Sequence, residues 1–166
     1  MILVTVGTHN QPFDRLLKEI DRLVEQEEIK DKVIAQIGYS KYKPRNYQYF
    51  TFTSWKKILK LNNIADIIIT HGGAGNLILA SHINKPIVVV PRMKHYGEHV
   101  DNHQLQLVRE LEKQGRVIAV YDINELGKAV KKAKSFKSGK RSREKERRIV
   151  SIVRHYIEDI AKSKED

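Results

Sequence analysis

The sequence predicts an α/β protein: an open, doubly wound parallel sheet with a further helix at its C-terminal end. Six apolar or β-branched runs alternate with helical segments along 166 residues, the order expected of consecutive βαβ units. Two of those runs, Ala65 to Thr70 and Ile87 to Val90, are nearly apolar throughout, as strands covered on both faces are. Phe13, Leu16, Leu17, Ile20, Leu23 and Val24 recur at helical spacing and form the stripe of a helix that lies on a sheet.

Taken in order, Met1 to Val6 reads as a strand stopped by Gly7-Thr8. Pro12 suits the first position of the following helix, where its missing N–H would have no partner anyway. Thr8 and Asn10 are candidate caps for that helix. Asp14, Arg15, Lys18, Glu19, Asp21 and Arg22 fill its polar face. Val33 to Ile37 and Tyr47 to Thr53 are the next strands, joined by the polar connection Tyr39 to Asn46, and Ser54 caps a helix running to about Asn62. Ala65 to Thr70 ends in His71-Gly72-Gly73-Ala74-Gly75-Asn76, after which Leu77 to Ile83 is helical and Ile87 to Val90 is a strand. Pro91 to Asp101 is a polar loop, Asn102 to Gln114 a helix closed by Gly115, Val117 to Val120 a strand, and Asn124 to Lys134 a helix opened by Asp122 or Asn124. The organisation expected is a Rossmann-like unit over residues 1–134, followed by a basic segment and an amphipathic helix over 135–166. That last helix, about Glu144 to Lys162, carries the stripe Ile149, Ile152, Val153, Tyr156, Ile157 and Ile160 and is expected to leave the sheet toward a partner.

Composition narrows the chemistry. With 40% hydrophobic and 31% charged residues the chain has the balance of one soluble domain, and with no cysteine it has no thiol nucleophile, disulfide or cysteine-based zinc site. No apolar run approaches the roughly 20 residues needed to cross a bilayer, and no basic leader precedes the first strand, so neither a spanning segment nor a signal peptide is expected. The net charge of +11 is uneven: 18 basic and 14 acidic side chains up to residue 130, against 13 and 6 beyond it. The basic stretch from Lys131 to Arg148 offers attraction to nucleic acid, anionic lipid or an acidic partner. A basic nucleic-acid-binding or regulatory protein is therefore the alternative function class, although no nucleic-acid-binding motif accompanies the charge.

In a doubly wound sheet the ligand crevice lies outside the carboxyl ends of the strands, which selects three loops. His71 to Asn76 turns a strand into a helix: its glycines allow close backbone approach, the helix start presents free N–H groups, and His71 adds a donor, a combination suited to phosphate. It lacks the lysine of a Walker loop and the spacing of a dinucleotide fingerprint. Gly7 and Thr8 supply amides and a hydroxyl at a neighbouring strand end. In the third loop, Glu98, Asp101 or Asn102, and Gln104 are residue types that hold sugar or ribose hydroxyls. His95, His99 and His103 are spaced as metal ligands would be on a helix, but Gly97 interrupts that helix and hydroxyl binding is the better use.

Together Val4-Thr5-Val6-Gly7-Thr8, His71-Gly72-Gly73-Ala74-Gly75-Asn76 and Asn102-His103-Gln104 resemble the C-terminal-domain group of family 28 glycosyltransferases. Within it the likeness is to the stand-alone donor-binding subunits of two-component UDP-N-acetylglucosamine transferases of dolichol-linked glycan assembly, and to bacterial exopolysaccharide glycosyltransferase subunits. The resemblance covers about residues 1 to 134. It implies the C-terminal half of a GT-B enzyme that moves N-acetylglucosamine or another hexose from a UDP-sugar to a lipid-linked acceptor, without a metal or other cofactor. It also implies a membrane-anchored partner that binds the acceptor, and hence a cytoplasmic location peripheral to the membrane. In that reading Gly7, Thr8, His71, Gly72, Gly73, Ala74, Gly75 and Asn76 hold the diphosphate, and Asn102, His103 and Gln104 face the ribose or the donor sugar, with Glu98 beside them. The base that deprotonates the acceptor belongs to the partner or to His9, the one candidate on this chain.

Overall fold

The computed structural model describes residues 1–81, 85–100, 103–135, 150–155 and 158. Six parallel strands form one sheet: β1 (Ile2–Thr5), β2 (Val33–Gln36), β3 (Gln48–Phe50), β4 (Ile67–Thr70), β5 (Ile87–Val89) and β6 (Ile118–Ala119). Their spatial order is β3-β2-β1-β4-β5-β6. The chain thus steps outward from β1 to β3, returns to the middle at β4, and steps outward the other way. β1 and β4 lie side by side, Ile2 opposite Ile67 and Thr5 opposite Thr70, and flank the point where the winding reverses.

Alternation of side chains divides the core into two layers. Ile2, Val4, Ile69, Val88 and Val90 face α1 (Asp14–Glu25) and α5 (Leu126–Lys134). Leu3, Ile68, Ile87 and Val89 face the other way, toward Leu61 of α2 (Trp55–Ile64), Leu77 of α3 (Ala74–Ser81), and Leu107, Val108 and Leu111 of α4 (His103–Lys113).

Several expectations shift in detail. α1 begins at Asp14, two residues after Pro12, so neither Thr8 nor Asn10 occupies its cap; the amide of Phe13, the capping position, donates instead to Ser40 Oγ of the β2–β3 connection at 3.0 Å. The polar face of α1 is put to use. Asp14 Oδ1 accepts from the amides of Lys41 and Tyr42, and the buried Asp21 carboxylate from the amides of Arg45 and Asn46 and the Tyr42 hydroxyl. These bonds hold the Asp21 carboxyl below its usual range despite its burial. Ser54 caps α2 as expected, accepting from the Lys57 amide. α3 starts at Ala74, so Ala74, Gly75 and Asn76 already form its first turn. A 3₁₀ turn, Ile123–Glu125, precedes α5, with Asp122 as its cap.

Residues 150–155 of the terminal helix are helical. Val153 is fully buried against the α3/α4 face, with Ile152 packed beside it, so here the stripe returns to the sheet instead of leaving it. Ile149, Tyr156, Ile157 and Ile160 lie outside the described residues. Val153→Ala is expected to lower stability by about 2 kcal/mol, from two lost methyl-sized groups and the cavity they leave. An unchanged urea midpoint would show that this helix does not belong to the core.

Candidate functional site

The reversal between β1 and β4 opens a crevice at the carboxyl ends of the strands, and two glycine turns meet there. Gly7, leaving β1, has φ +77°, and Gly72, leaving β4, has φ +85°, a region that L side chains rarely adopt. The ring of His71 is wedged between the turns. A Cβ added at Gly7 would stand 2.6 Å from His71 Cε1, and one at Gly73 2.3 Å from His71 Nε2. These two glycines are required because an imidazole fills the space a side chain would need.

His71, which the sequence offers as a donor to phosphate, is buried. Burial, with the Arg92 charge nearby, drives its pKa down to about 3, so the ring is neutral at physiological pH. Its Nδ1 lies 3.4 Å from the Thr5 carbonyl and 3.5 Å from Thr70 Oγ1. Beneath the turns Thr5 Oγ1 donates to Thr70 Oγ1 at 3.1 Å, and Asn76 Nδ2 reaches both hydroxyls, at 3.2 and 3.3 Å. The amides of Ala74, Gly75 and Asn76 precede the first intrahelical bond of α3, from Leu77 N to Gly73 O, and a Cβ at Gly75 would meet only open space. The helix thus presents its positive end at the crevice.

The third loop is held by two arginines that cross between the same two segments. Arg92, 1% exposed, reaches from the end of β5 to the loop after β1: its guanidinium donates to the carbonyls of Val6 (2.7 Å), Gln11 (2.8 Å) and Pro12 (3.3 Å), and to that of Glu98 (3.0 Å). Arg15, on α1, reaches back, donating to the Pro91 carbonyl at 3.1 Å and to both Glu98 carboxylate oxygens at 2.9 Å. Phe13 lies between them, with the Arg92 guanidinium 4.8 Å and that of Arg15 5.4 Å from its ring centre. Burial lowers the Arg92 pKa to about 10, which leaves it charged at neutral pH.

This geometry brings Gly7, His71, Gly72, Gly73, Ala74, Gly75 and Asn76 together, with Thr8 exposed at the rim. Glu98 is buried, and its carboxylate serves Arg15 and the Met93 amide (3.0 Å). Gln104 is buried beneath the same loop; its Oε1 accepts from Arg92 N at 3.4 Å and lies near Gly72. His95 packs on Tyr96, and His99 on His9 at 4.8 Å, so these two histidines turn to different neighbours. Gly97, with φ +68°, breaks the helix that would have aligned them. Asn102 lies outside the described residues, and of His103 only its place at the start of α4 is described. Arg92, Arg15, Thr5 and Thr70 escaped the sequence reading as parts of the site; a cation directly after the apolar run Ile87-Val88-Val89-Val90-Pro91 was the one signal that pointed to Arg92.

A family model, the glycosyltransferase family 28 C-terminal domain, matches residues 1–160. The chain belongs to that family. The match runs past residue 134, the end of the resemblance read from the sequence. Among curated relatives, this family 28 domain is 34% identical over 125 residues to the human UDP-N-acetylglucosamine transferase subunit ALG13, covering 70% of this chain and 10% of that protein. It is 33% identical over 89 residues to the subunit of the same name from Candida albicans, covering 54% of this chain and 29% of that one. The chain therefore spans under a third of the length of either relative. In fold it is similar to the glycotransferase of kitacinnamycin (TM-score 0.61, 18% identity, 93% of this chain and 38% of that one) and to MurG of Acinetobacter baumannii (TM-score 0.57, 17% identity, 93% and 44%).

Three measurements test this arrangement. Gly73→Ala should destabilise the parent protein but cost far less in a His71→Ala background, with a coupling of about 1–3 kcal/mol in a double-mutant cycle; strict additivity would place the ring elsewhere. The unfolded chain protonates His71 near its ordinary value of 6.5 while the native one holds it neutral down to about 3. Stability should therefore fall as pH drops from 6.5 toward 3, by up to about 1.4 kcal/mol per pH unit from this one proton, and His71→Gln should remove that part of the slope. Arg92→Met should cost about 3–5 kcal/mol, because four carbonyls lose their donor; a loss below 1 kcal/mol would show that the loops hold without it.

Proposed function

We propose that this family 28 domain is the donor-binding half of a two-component glycosyltransferase that moves a hexose, N-acetylglucosamine being the first candidate, from a UDP-sugar to a lipid-linked acceptor. The observation that carries the reading is the meeting of the Gly7 and His71–Gly73 turns with the start of α3 at the β1/β4 reversal, within a family 28 domain. Here the diphosphate would accept bonds from the amides of Thr8, Ala74, Gly75 and Asn76, beside backbone that Gly7, Gly72 and Gly73 leave bare. The positive end of α3 and the buried Arg92 charge favour the dianion. Gln104, with Asn102 and His103 next to it in sequence, is assigned to the ribose and donor sugar, and Glu98 to fixing the loop that brings them there.

In the transfer step the acceptor hydroxyl oxygen bonds to C1 of the sugar, the bond from C1 to the diphosphate oxygen breaks, and UDP leaves with the electron pair. Dipoles already aimed at the diphosphate stabilise that charge without reorganisation, so no metal is assigned to the step. His9 Nδ1 accepts from the Gln11 amide at 3.3 Å, an engagement that favours looking for the base elsewhere. The base is therefore assigned to the acceptor-binding partner. The ALG13 relatives carry the name of transferase subunits, which supports a separate acceptor-binding partner. We place the partner in the membrane and this chain at its cytoplasmic face; among the described residues no helix is long and apolar enough to cross a bilayer.

Calorimetry on the purified chain should give heat and a raised melting temperature with UDP and UDP-N-acetylglucosamine, and far less of either with uridine, because the diphosphate supplies most of the contacts. UDP-glucose tests the choice of sugar. His71→Ala should weaken UDP binding roughly ten-fold, through the collapse of the turns it separates. Absence of heat with every UDP compound at millimolar concentration would overturn the reading.

A further inference from the structure

From Lys32 to Ala65 the chain contains no acidic residue, seven basic ones, and seven of its twelve Phe, Tyr and Trp residues, including its one tryptophan. The fold gathers much of this segment at one edge of the sheet. β3 is the edge strand, and Tyr39 follows the end of β2 as Phe52 and Trp55 follow the end of β3. Tyr39 is 56% exposed, Phe52 44% and Trp55 63%, although large aromatic side chains are ordinarily the first to be covered. The first two form an edge-to-face pair with ring centres 5.0 Å apart. Ammonium groups stand over neighbouring rings, Lys43 above Tyr49 at 5.9 Å and Lys57 above Phe50 at 5.4 Å.

The charge of this rim is equally one-sided. Lys41, Lys43, Arg45, Lys56, Lys57 and Lys60 are all exposed. The first turn of α2 carries Lys56 and Lys57 and no acid, so two cations add to the positive end of the helix dipole, an arrangement unfavourable to the helix itself and relieved by an external anion. The carboxylates that touch the segment from α1, Asp14 and Asp21, are engaged by the amides of residues 41, 42, 45 and 46. Exposed Trp, Tyr and Phe with lysines interleaved is the composition of surfaces that sit at a membrane–water boundary, rings at headgroup depth and ammonium groups on phosphates.

We infer that the rim formed by Tyr39, Phe52 and Trp55 with Lys41, Lys56 and Lys60 docks this domain directly on an anionic phospholipid bilayer. All parallel strands end on one edge of the sheet, and a Cβ at Gly38, next to Tyr39, would stand 2.7 Å from the Gly7 carbonyl. The rim is therefore contiguous with the crevice, and docking there brings the crevice to the lipid surface. The proposed contact uses none of the basic residues after Ser135 and does not depend on what the crevice binds.

Trp55, the sole tryptophan, reports on the contact in the full, unlabelled chain. With vesicles of phosphatidylcholine containing about one third phosphatidylglycerol, its emission should move to shorter wavelength and be quenched by lipids brominated on the acyl chain. Neither effect should appear with phosphatidylcholine alone, and both should be lost near 0.5 M salt, where screening is strong. Phe52→Ala with Trp55→Ala, and separately Lys56→Glu with Lys60→Glu, should each reduce co-sedimentation with the anionic vesicles at least ten-fold while leaving the circular dichroism spectrum unchanged. Vesicle binding with Trp55 emission unaltered would overturn the proposal and move the contact elsewhere on the chain. So would a Trp55 response to single-stranded oligonucleotide that vesicles fail to displace, or one that follows protein concentration alone and so marks contact between copies. Should the alanine pair misfold, quenching in the parent chain decides. A UDP titration on the same sample tests the donor reading independently.

Discussion

The structure of the crevice depends on one buried cation. Among the described residues no carboxylate pairs with Arg92, and four main-chain carbonyls from two loops take the place of the water it gives up. Its Nε has no partner among the described residues, so the compensation is incomplete, and the lowered pKa reflects the same desolvation. Such a side chain tolerates little movement of its acceptors. The path of residues 6–12 is fixed against residues 91–98, and Arg15, crossing in the opposite direction, fixes Glu98 in turn. Loops at strand ends are ordinarily the most mobile parts of an α/β domain; here they are tied together from below by charge-assisted bonds.

The crevice built above that cation is made of main-chain amides and neutral groups. His71 cannot take up a second ring proton beside Arg92 in a buried site, so it acts as a neutral wedge whose edge sets the separation of two glycine turns. Thr5, Thr70 and Asn76 satisfy one another under the turns, which keeps polar groups from drawing the loops inward. Bare backbone, a helix start and a cation one layer down form the surface to which we assign the diphosphate. Its groups are held in position by the fold, the condition under which dipoles stabilise a leaving group most effectively.

An all-parallel sheet directs every strand toward the same edge, and this constraint links the crevice to the aromatic rim. The glycine turns after β1 and β4 and the aromatic-basic rim after β2 and β3 are neighbours because their strands are. Gly38 packs on Gly7 between them, so the crevice and the rim share a boundary one residue wide.

The fold class, the six strands in their order along the chain and the two glycine turns were legible in the sequence because each rests on local physics: apolar runs, helical spacing, and a residue type that alone tolerates positive φ. Ser54 as a cap and Gly97 as a helix breaker were legible for the same reason. The start of α1 was not, since the acceptor for its cap, Ser40, is 27 residues away. Nor was the return of Val153 to the sheet, because an amphipathic stripe states that a helix must be covered but not by what. His71, Glu98 and Arg92 depended most on tertiary structure. Sequence supplies their chemistry; burial decides that the histidine is neutral, that the glutamate serves an arginine from α1, and that the arginine of a polar loop holds the crevice together. Desolvation and partner choice are properties of the packed chain, and no local pattern encodes them.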